Sequence, residues 1–482
     1  MTDEHARTYK PRTVLVQYPE SQSYVVESLR TAFAQHPRPY SLVTDPADLE
    51  PGEKPDVQWS DYDELDWDLA MDDRTLLNSY AIRKALIRKS NLSHTVALYT
   101  SKNPSSSLRA ATPKTFHFTC SFADELDELL MDELYEVEES FRNVEEGTAE
   151  PKWWILKAAL ADKGNGIRLF STRQALEDIF VEFEPESDDE EEEDGDERER
   201  EAGPSGTQDR AALFGADTRV DATQMREWVI QEYVSDPLLL DPTPGSNSNG
   251  TKFHLRVYVV AVSGLRVYVH HPFLALFAPV PYARPVEAAA EADFDLSAHL
   301  TNTCLQTSVL GDSTPQVSVG CLQTMADKTI LSGGAKGEAL GEERIRTIEQ
   351  RVRETVAEVF KAALGAGSSF QVLPNAFEIF GVDFLVSSDF QVSLLEVNAC
   401  PDFGQTGSDL QAIISSLFAE TIKVAVDPFF GSASAGTING EASKEEDEDQ
   451  VRELETGVRQ LDTAGGAKGL RKVLDVEVSK AW

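Results

Sequence analysis

Residues Phe377–Gln405 read F-E-I-F-G-V-D-F-L-V-S-S-D-F-Q-V-S-L-L-E-V-N-A-C-P-D-F-G-Q. Two apolar runs, Phe377–Val386 and Phe390–Val397, are split by the polar Ser387-Ser388-Asp389, the pattern of a β-hairpin. Three polar residues interrupt them: Asp383 in mid-strand, and Glu396 and Asn398 at the end of the second run. Positions two apart leave the same face of a strand, and antiparallel pairing can bring Asp383 onto that face as well. Two carboxylates and an amide gathered there are unfavourable without a partner. Mg2+ meets the need, because it binds one or two carboxylates and takes its other ligands from water and nucleotide phosphates. From spacing alone, a solvated hairpin edge fits as well as a metal site.

D-F-L-V (Asp383–Val386) followed by L-L-E-V-N-A-C-P (Leu394–Pro401) resembles the metal-binding end of ATP-grasp ligases, specifically the tubulin–tyrosine ligase family. The resemblance implies Asp383, Glu396 and Asn398 as Mg2+ ligands and extends to other segments in the expected order.

Leu76–Lys89 reads as a basic helix carrying Arg83, Lys84, Arg88 and Lys89, which on charge alone is an ordinary solvated face. The resemblance implies an Arg-Lys pair here that reaches nucleotide phosphates, matched by Arg83-Lys84, with Lys84 as the contact. Lys152–Lys157 (K-W-W-I-L-K) is a buried strand ending in lysine, followed by A-A-L-A-D-K-G-N-G-I, whose glycines allow close approach to an anion. The family pattern implies phosphate contact by Lys157 and a nucleotide-covering loop containing Lys163, Gly164 and Gly166. In W-V-I-Q-E-Y-V, Gln231, Tyr233 and Val234 match the wall around the nucleobase, while Glu232 stands where the family has lysine.

In K-F-H-L-R-V-Y-V-V-A-V, Lys252, His254 and Arg256 share one strand face, and Arg266 begins the partner strand after Ser263-Gly264. Such a row of cations repels itself unless an anion binds, and polyphosphate fits. The family segment K-F-D-I-R implies Lys252 at the phosphates and Arg256 at the reacting acyl group, and Arg266, from the same row of cations, is the second catalytic candidate. His254 replaces the acidic residue and, flanked by cations, is expected to be neutral. H-L-T-N-T-C (His299–Cys304) resembles a further segment near the catalytic site.

The chain of 482 residues carries 44 Lys+Arg against 83 Asp+Glu, a net charge of −39. Glu184–Glu201 contributes 13 acidic and 2 basic residues, so without it the balance is still −28. Acidity this general argues against nucleic acid as a partner. Hydrophobic content of 41% supports real cores. No run approaches the roughly 18 apolar residues of a membrane span, and M-T-D-E-H-A-R-T-Y-K is not the start of a signal peptide. Four scattered cysteines suit the reducing cytoplasm, or the nucleus.

The expected fold is α/β (α+β) ATP-grasp: residues 1–10 disordered, a small α/β domain over 11–120, a central lid domain over 121–272 and a C-terminal metal-binding domain over 273–430. Glu184–Gln208 cannot bury enough apolar surface to pack and reads as a disordered insertion. The 306–342 segment reads as a mobile loop, and 431–482 as a disordered polar tail with a short charged helix at Lys444–Gln460. The resemblance implies an ATP- and Mg2+-dependent amide ligase, monomeric, joining a free amino acid to a protein carboxylate such as a tubulin tail. The other reading is a non-catalytic nucleotide-binding or interaction member that keeps the fold.

Overall fold

The computed structural model describes residues 11–161, 165–184, 222–242, 249–285, 296–301, 319–401, 403, 411–432 and 469–476. Lys163, Gly164, nearly all of the acidic insertion and Lys444–Gln460 lie outside the described residues.

The described residues form three sheets. In the first, β1 (Arg12–Leu15), β2 (Tyr40–Val43), β3 (Val57–Gln58) and β4 (Leu76–Leu77) run parallel in the order β2-β1-β3-β4. The helix Ser23–Ala34 covers this sheet with Val25, Leu29 and Phe33, which recur at helical spacing. The second sheet is antiparallel: β5 (Thr115–Thr119), β6 (Trp154–Ala158), β7 (Arg168–Phe170) and β8 (Glu227–Glu232), in the order β5-β8-β6-β7. The third sheet holds β9 (Leu239–Leu240), β10 (Thr251–Val262), β11 (Arg266–His271), β12 (Leu274–Phe277), β13 (Val319–Cys321), β14 (Phe377–Val386), β15 (Val392–Ala399) and β16 (Gly469–Asp475).

β10 is the spine of the third sheet, pairing with β14 over nine residues and also with β9, β11 and β12. One of its faces, Phe253, Leu255, Val257, Val259 and Ala261, lies in a core shared with the 24-residue helix Gly341–Leu364. That helix buries Ile345, Ile348, Val352, Val356, Val359 and Phe360, each stabilising by roughly 1.5–3 kcal/mol. The opposite face carries Tyr258, Val260 and Val262 into a second core with Trp59 and Phe418. On that same face Lys252, His254 and Arg256 interrupt the apolar layer, and here a cleft opens.

Several expectations are corrected. Leu76–Lys89 is not one helix: Leu76–Leu77 pairs in β4, and helices follow at Lys84–Ile87 and Lys89–Lys102, broken at an extended Arg88. Tertiary bonds override the local pattern, with the Tyr80 N–H donating to the Glu378 carboxylate at 3.1 Å. The boundary expected near residue 272 falls inside the third sheet, because β10 and β11 belong with β14. The expected boundary at 120 also shifts, since Thr115–Thr119 is already part of the second sheet. In the expected mobile loop, Val319–Cys321 pairs with β12. In the expected tail, Gly469–Asp475 pairs antiparallel with β11 and buries Leu474. These seven residues were obscured by their polar surroundings, although Leu470, Val473 and Leu474 offered apolar surface.

Candidate active site

Strand register places the polar residues. Arg256 on β10 is opposite Asp383 on β14, which in turn is opposite Glu396 on β15. The register shifts beside Asp383, leaving Leu395 as an extra residue on β15. Val392, Leu394 and Val397 therefore all reach the core, while Glu396 and Asn398 turn into the cleft.

Asp383, which is buried, accepts from Arg256 through both oxygens, Nε to Oδ1 at 2.5 Å and Nη2 to Oδ2 at 3.0 Å. Asn398 Nδ2 donates to Asp383 Oδ2 at 3.3 Å and to Glu396 Oε1 at 3.2 Å. Burial pushes the Asp383 carboxyl up to about 6 against the pull of Arg256. Burial raises Glu396 as well, but Lys89, Lys157, the Asn398 amide and Arg256 outweigh it and hold this carboxyl below the ordinary glutamate value.

Cations line the facing wall. Lys157, at the end of β6, donates to Gln231 Oε1 at 2.8 Å, and burial lowers its ammonium to about 8. Lys89 Nζ donates to the Ala161 carbonyl at 3.0 Å. Lys252 Nζ donates to Tyr233 Oη at 3.1 Å and to the His299 carbonyl at 2.9 Å, and burial lowers it to about 7. Tyr233 and His299 Nδ1 share a hydrogen bond of 2.8 Å. His254 Nδ1 and Thr301 Oγ1 lie 2.5 Å apart, and His254 is pushed down to about 3 by burial and then by Arg256 and Lys252. The expected repulsion along β10 is thus relieved within the protein: Arg256 is paired, His254 is neutral and Lys252 keeps one of its three donors. These groups surround a cavity of about 130 Å3. It shares Lys89, Lys157 and Gln231–Val234 with an open cleft of about 1210 Å3.

The description "Tubulin-tyrosine ligase family" matches residues 75–434 of this chain. The chain belongs to the tubulin–tyrosine ligase family. Saccharomyces cerevisiae has a relative called probable tubulin–tyrosine ligase PBY1, 36% identical over 444 residues, with 89% of this chain but only 54% of the yeast protein covered. A probable tubulin–tyrosine ligase of Schizosaccharomyces pombe is 37% identical, the match covering 79% of this chain and 85% of that protein. The mouse protein polyglycylase TTLL10 is 25% identical over 58% of this chain and 34% of its own length. Among solved structures, the C-terminal domain of K. lactis Pby1 aligns with a TM-score of 0.58 at 28% identity, covering 97% of this chain and all of that one. It is described as an ATP-grasp enzyme interacting with the mRNA decapping enzyme Dcp2.

Of the residues that the family pattern singled out, Lys157, Gln231, Tyr233, Val234, Lys252, Asp383, Glu396 and Asn398 line the cavity, with Arg256 bonded to Asp383. Gly166 adopts a positive φ of 70° between the cavity-lining Asn165 and Ile167. Two residues do not join them. Lys84 is exposed and outside the cavity wall, where Lys89 is found instead. The signal was present, since a second Arg-Lys pair, Arg88-Lys89, follows five residues after the first. Arg266 is opposite Val262 and Asp475, six residues up the sheet from Arg256 and so roughly 20 Å away at about 3.4 Å per residue. Glu232 is balanced by Lys152 at 3.0 Å.

Among the described residues, no three His, Cys, Asp or Glu side chains gather tightly enough to hold a metal ion by themselves. The donor chemistry nevertheless fits Mg2+ bound together with phosphates: two carboxylates and an amide that can turn its oxygen inward. Backbone space is equally specific. A Cβ on Gly381 would stand 2.8 Å from Pro401 Cβ and 3.2 Å from Arg256 Cδ. Gly381→Ala is expected to destabilise by about 1–3 kcal/mol and to displace Arg256. Thermal melting and nucleotide affinity should fall together, and an unchanged pair of values would show that the Arg256 stem is free to move.

Proposed function

We propose that the chain is an ATP- and Mg2+-dependent amide ligase, joining an amino acid to a carboxylate of an acceptor protein through an acyl phosphate. The supporting observation is the convergence, in one cleft, of Lys157, Lys252 and Arg256 with Asp383, Glu396 and Asn398. In this reading Gln231–Val234 form the nucleobase wall and Lys157 and Lys252 hold phosphates. The acceptor carboxylate attacks the γ-phosphorus, ADP leaves, and an amine then displaces phosphate from the acyl carbon. Asp383, Glu396 and Asn398 would hold Mg2+, which supplies charge neutralisation across the phosphates. The protein's own part is positioning: Asp383 orients Arg256 toward the transferring group, and Gln231 fixes Lys157. A polyglycylase among the relatives supports amino-acid transfer, and the partner of K. lactis Pby1 supports a protein ligand; a tubulin tail is one candidate acceptor.

The test is mass spectrometry of candidate acceptor proteins after incubation with ATP, Mg2+ and a mixture of amino acids. Amino-acid mass increments that require ATP are expected. ATP binding without ADP release or acceptor modification would replace this reading with a non-catalytic nucleotide-binding member, which the full engagement of Asp383 by Arg256 favours.

The lysines also predict a pH dependence. Binding an anion raises the Lys157 value above about 8, so affinity is greatest where the free protein already holds the proton. ATP affinity is therefore expected to fall as pH rises from 7 to 9. In Lys157→Met affinity should be lower and its fall with pH shallower, the remainder belonging to Lys252, and an equally steep profile in the variant would assign the titration elsewhere.

A further inference from the structure

Thr115 lines the open cleft and has no part in the ligase reading, yet side-chain hydrogen bonds join it to Lys157 through Gln231. β5 and β8 pair antiparallel with Thr115 directly opposite Gln231, so the two side chains leave the same face of the sheet as near neighbours. Lys157 on β6 is opposite Val229, and alternation puts it on that face too. Lys157 Nζ donates to Gln231 Oε1 at 2.8 Å. Gln231 Nε2 donates to Thr115 Oγ1 at 3.1 Å, and Thr115 Oγ1 donates to the Pro113 carbonyl at 2.7 Å.

The chemistry at the two ends fixes the direction of this row. An ammonium can only donate and a carbonyl can only accept, so Gln231 must turn its oxygen to Lys157 and its NH2 to Thr115. Gln231 is 7% exposed, and among the described residues Thr115 Oγ1 is the one acceptor for its amide nitrogen. The far end is anchored as well: the Glu232 N–H donates to the Lys114 carbonyl at 2.8 Å, which holds Pro113–Thr115 against the end of β8.

Resting on the reading above, we propose that Thr115 is a positioning residue for nucleotide binding, acting through Gln231 on Lys157. Its hydroxyl holds the amide in the one orientation that offers oxygen to the lysine. Without that hydroxyl the buried NH2 has no acceptor, which is unfavourable. Rotation of the amide toward another partner takes Oε1 away from Lys157, and the ammonium loses the contact that aims it into the cavity.

The experiment uses the full chain with Mg2+ and the β,γ-methylene analogue of ATP, affinity being read by calorimetry in variants checked for folding by circular dichroism. Thr115→Val removes the hydroxyl and keeps the branched shape, and it is expected to weaken binding about five- to tenfold. Thr115→Ala serves as the second hydroxyl-free variant should valine disturb β5. Thr115→Ser keeps the hydroxyl and should bind as the wild type does. In the Lys157→Met background Thr115→Val should cost nothing further, since no ammonium is left to position. Undiminished binding in the hydroxyl-free variants overturns this inference and leaves the ligase reading standing. An equal loss with and without Lys157, or a loss that serine does not restore, overturns it as well and assigns Thr115 to the structure of β5 alone. A wild type that does not bind the nucleotide overturns both.

Discussion

Glu396→Gln is expected to lower turnover about a hundred- to a thousandfold while leaving the fold intact. The magnitude is that of removing a group aimed at charge developing in the transition state, here a carboxylate proposed to hold the cation. The fold should tolerate the change. Glu396 is only half-buried, and glutamine keeps an oxygen to accept from Asn398 Nδ2, now 3.2 Å away. The carboxylate is held ionised by Lys89, Lys157 and Arg256 despite burial, so the substitution removes a real charge. ADP release and thermal melting should be measured side by side. An undiminished rate at saturating Mg2+ in a well-folded variant would remove Glu396 from the site.

The second large effect lies at a residue that the sequence pointed to for another reason. Arg83 does not enter the cavity. It is buried, its Nε stands 2.6 Å from Glu378 Oε1, and its guanidinium lies 3.7 Å from the centre of the Tyr62 ring. Removing one member of a buried ion pair typically costs 3–5 kcal/mol. Burial, opposed by Arg83, already pushes Glu378 up to about 7, so the stranded carboxyl can take up a proton. Arg83→Met is therefore expected near the low end, about 3 kcal/mol. Protonating Glu378 in the folded variant becomes easier as pH falls, so the deficit should shrink between pH 7 and 5. Denaturant melts at both pH values test this, and a deficit that grows on acidification would contradict the assigned pair. Nucleotide affinity in the folded variant should change little, because Arg83 is absent from the cavity wall.

The contrast between Arg83 and Glu396 shows what the sequence made legible. The hairpin was readable because alternation fixes which side chains share a face, and Phe377–Val386 forms as expected. Glu396 and Asn398 followed from the same spacing. The bulge at Leu395 was not readable, since an extra residue changes no local propensity and is selected by pairing with β14. Lys89 was missed because two Arg-Lys pairs lie on one short segment. What separates them is tertiary: the first arginine is drawn under Tyr62 toward Glu378, and only the second pair turns its lysine to Ala161. Arg266 shares the face of Arg256 but lies at the other end of it: it pairs with Val262 beside the hairpin turn, six residues along the sheet. The Tyr233–His299–Lys252 contacts join residues far apart in sequence and carry no local signal.

The pairing of β16 with β11 has a consequence for biosynthesis. β11 emerges from the ribosome long before Gly469, and until then its outer row of amide and carbonyl groups has no partner among the described strands other than β10 on its inner side. A nascent edge of this kind can pair with another unfinished chain, and closing so distant a contact is slow. The yield of correctly folded protein should therefore depend on the pace of translation and on chaperones that shield Arg266–His271, even though none of these residues lines the candidate cavity.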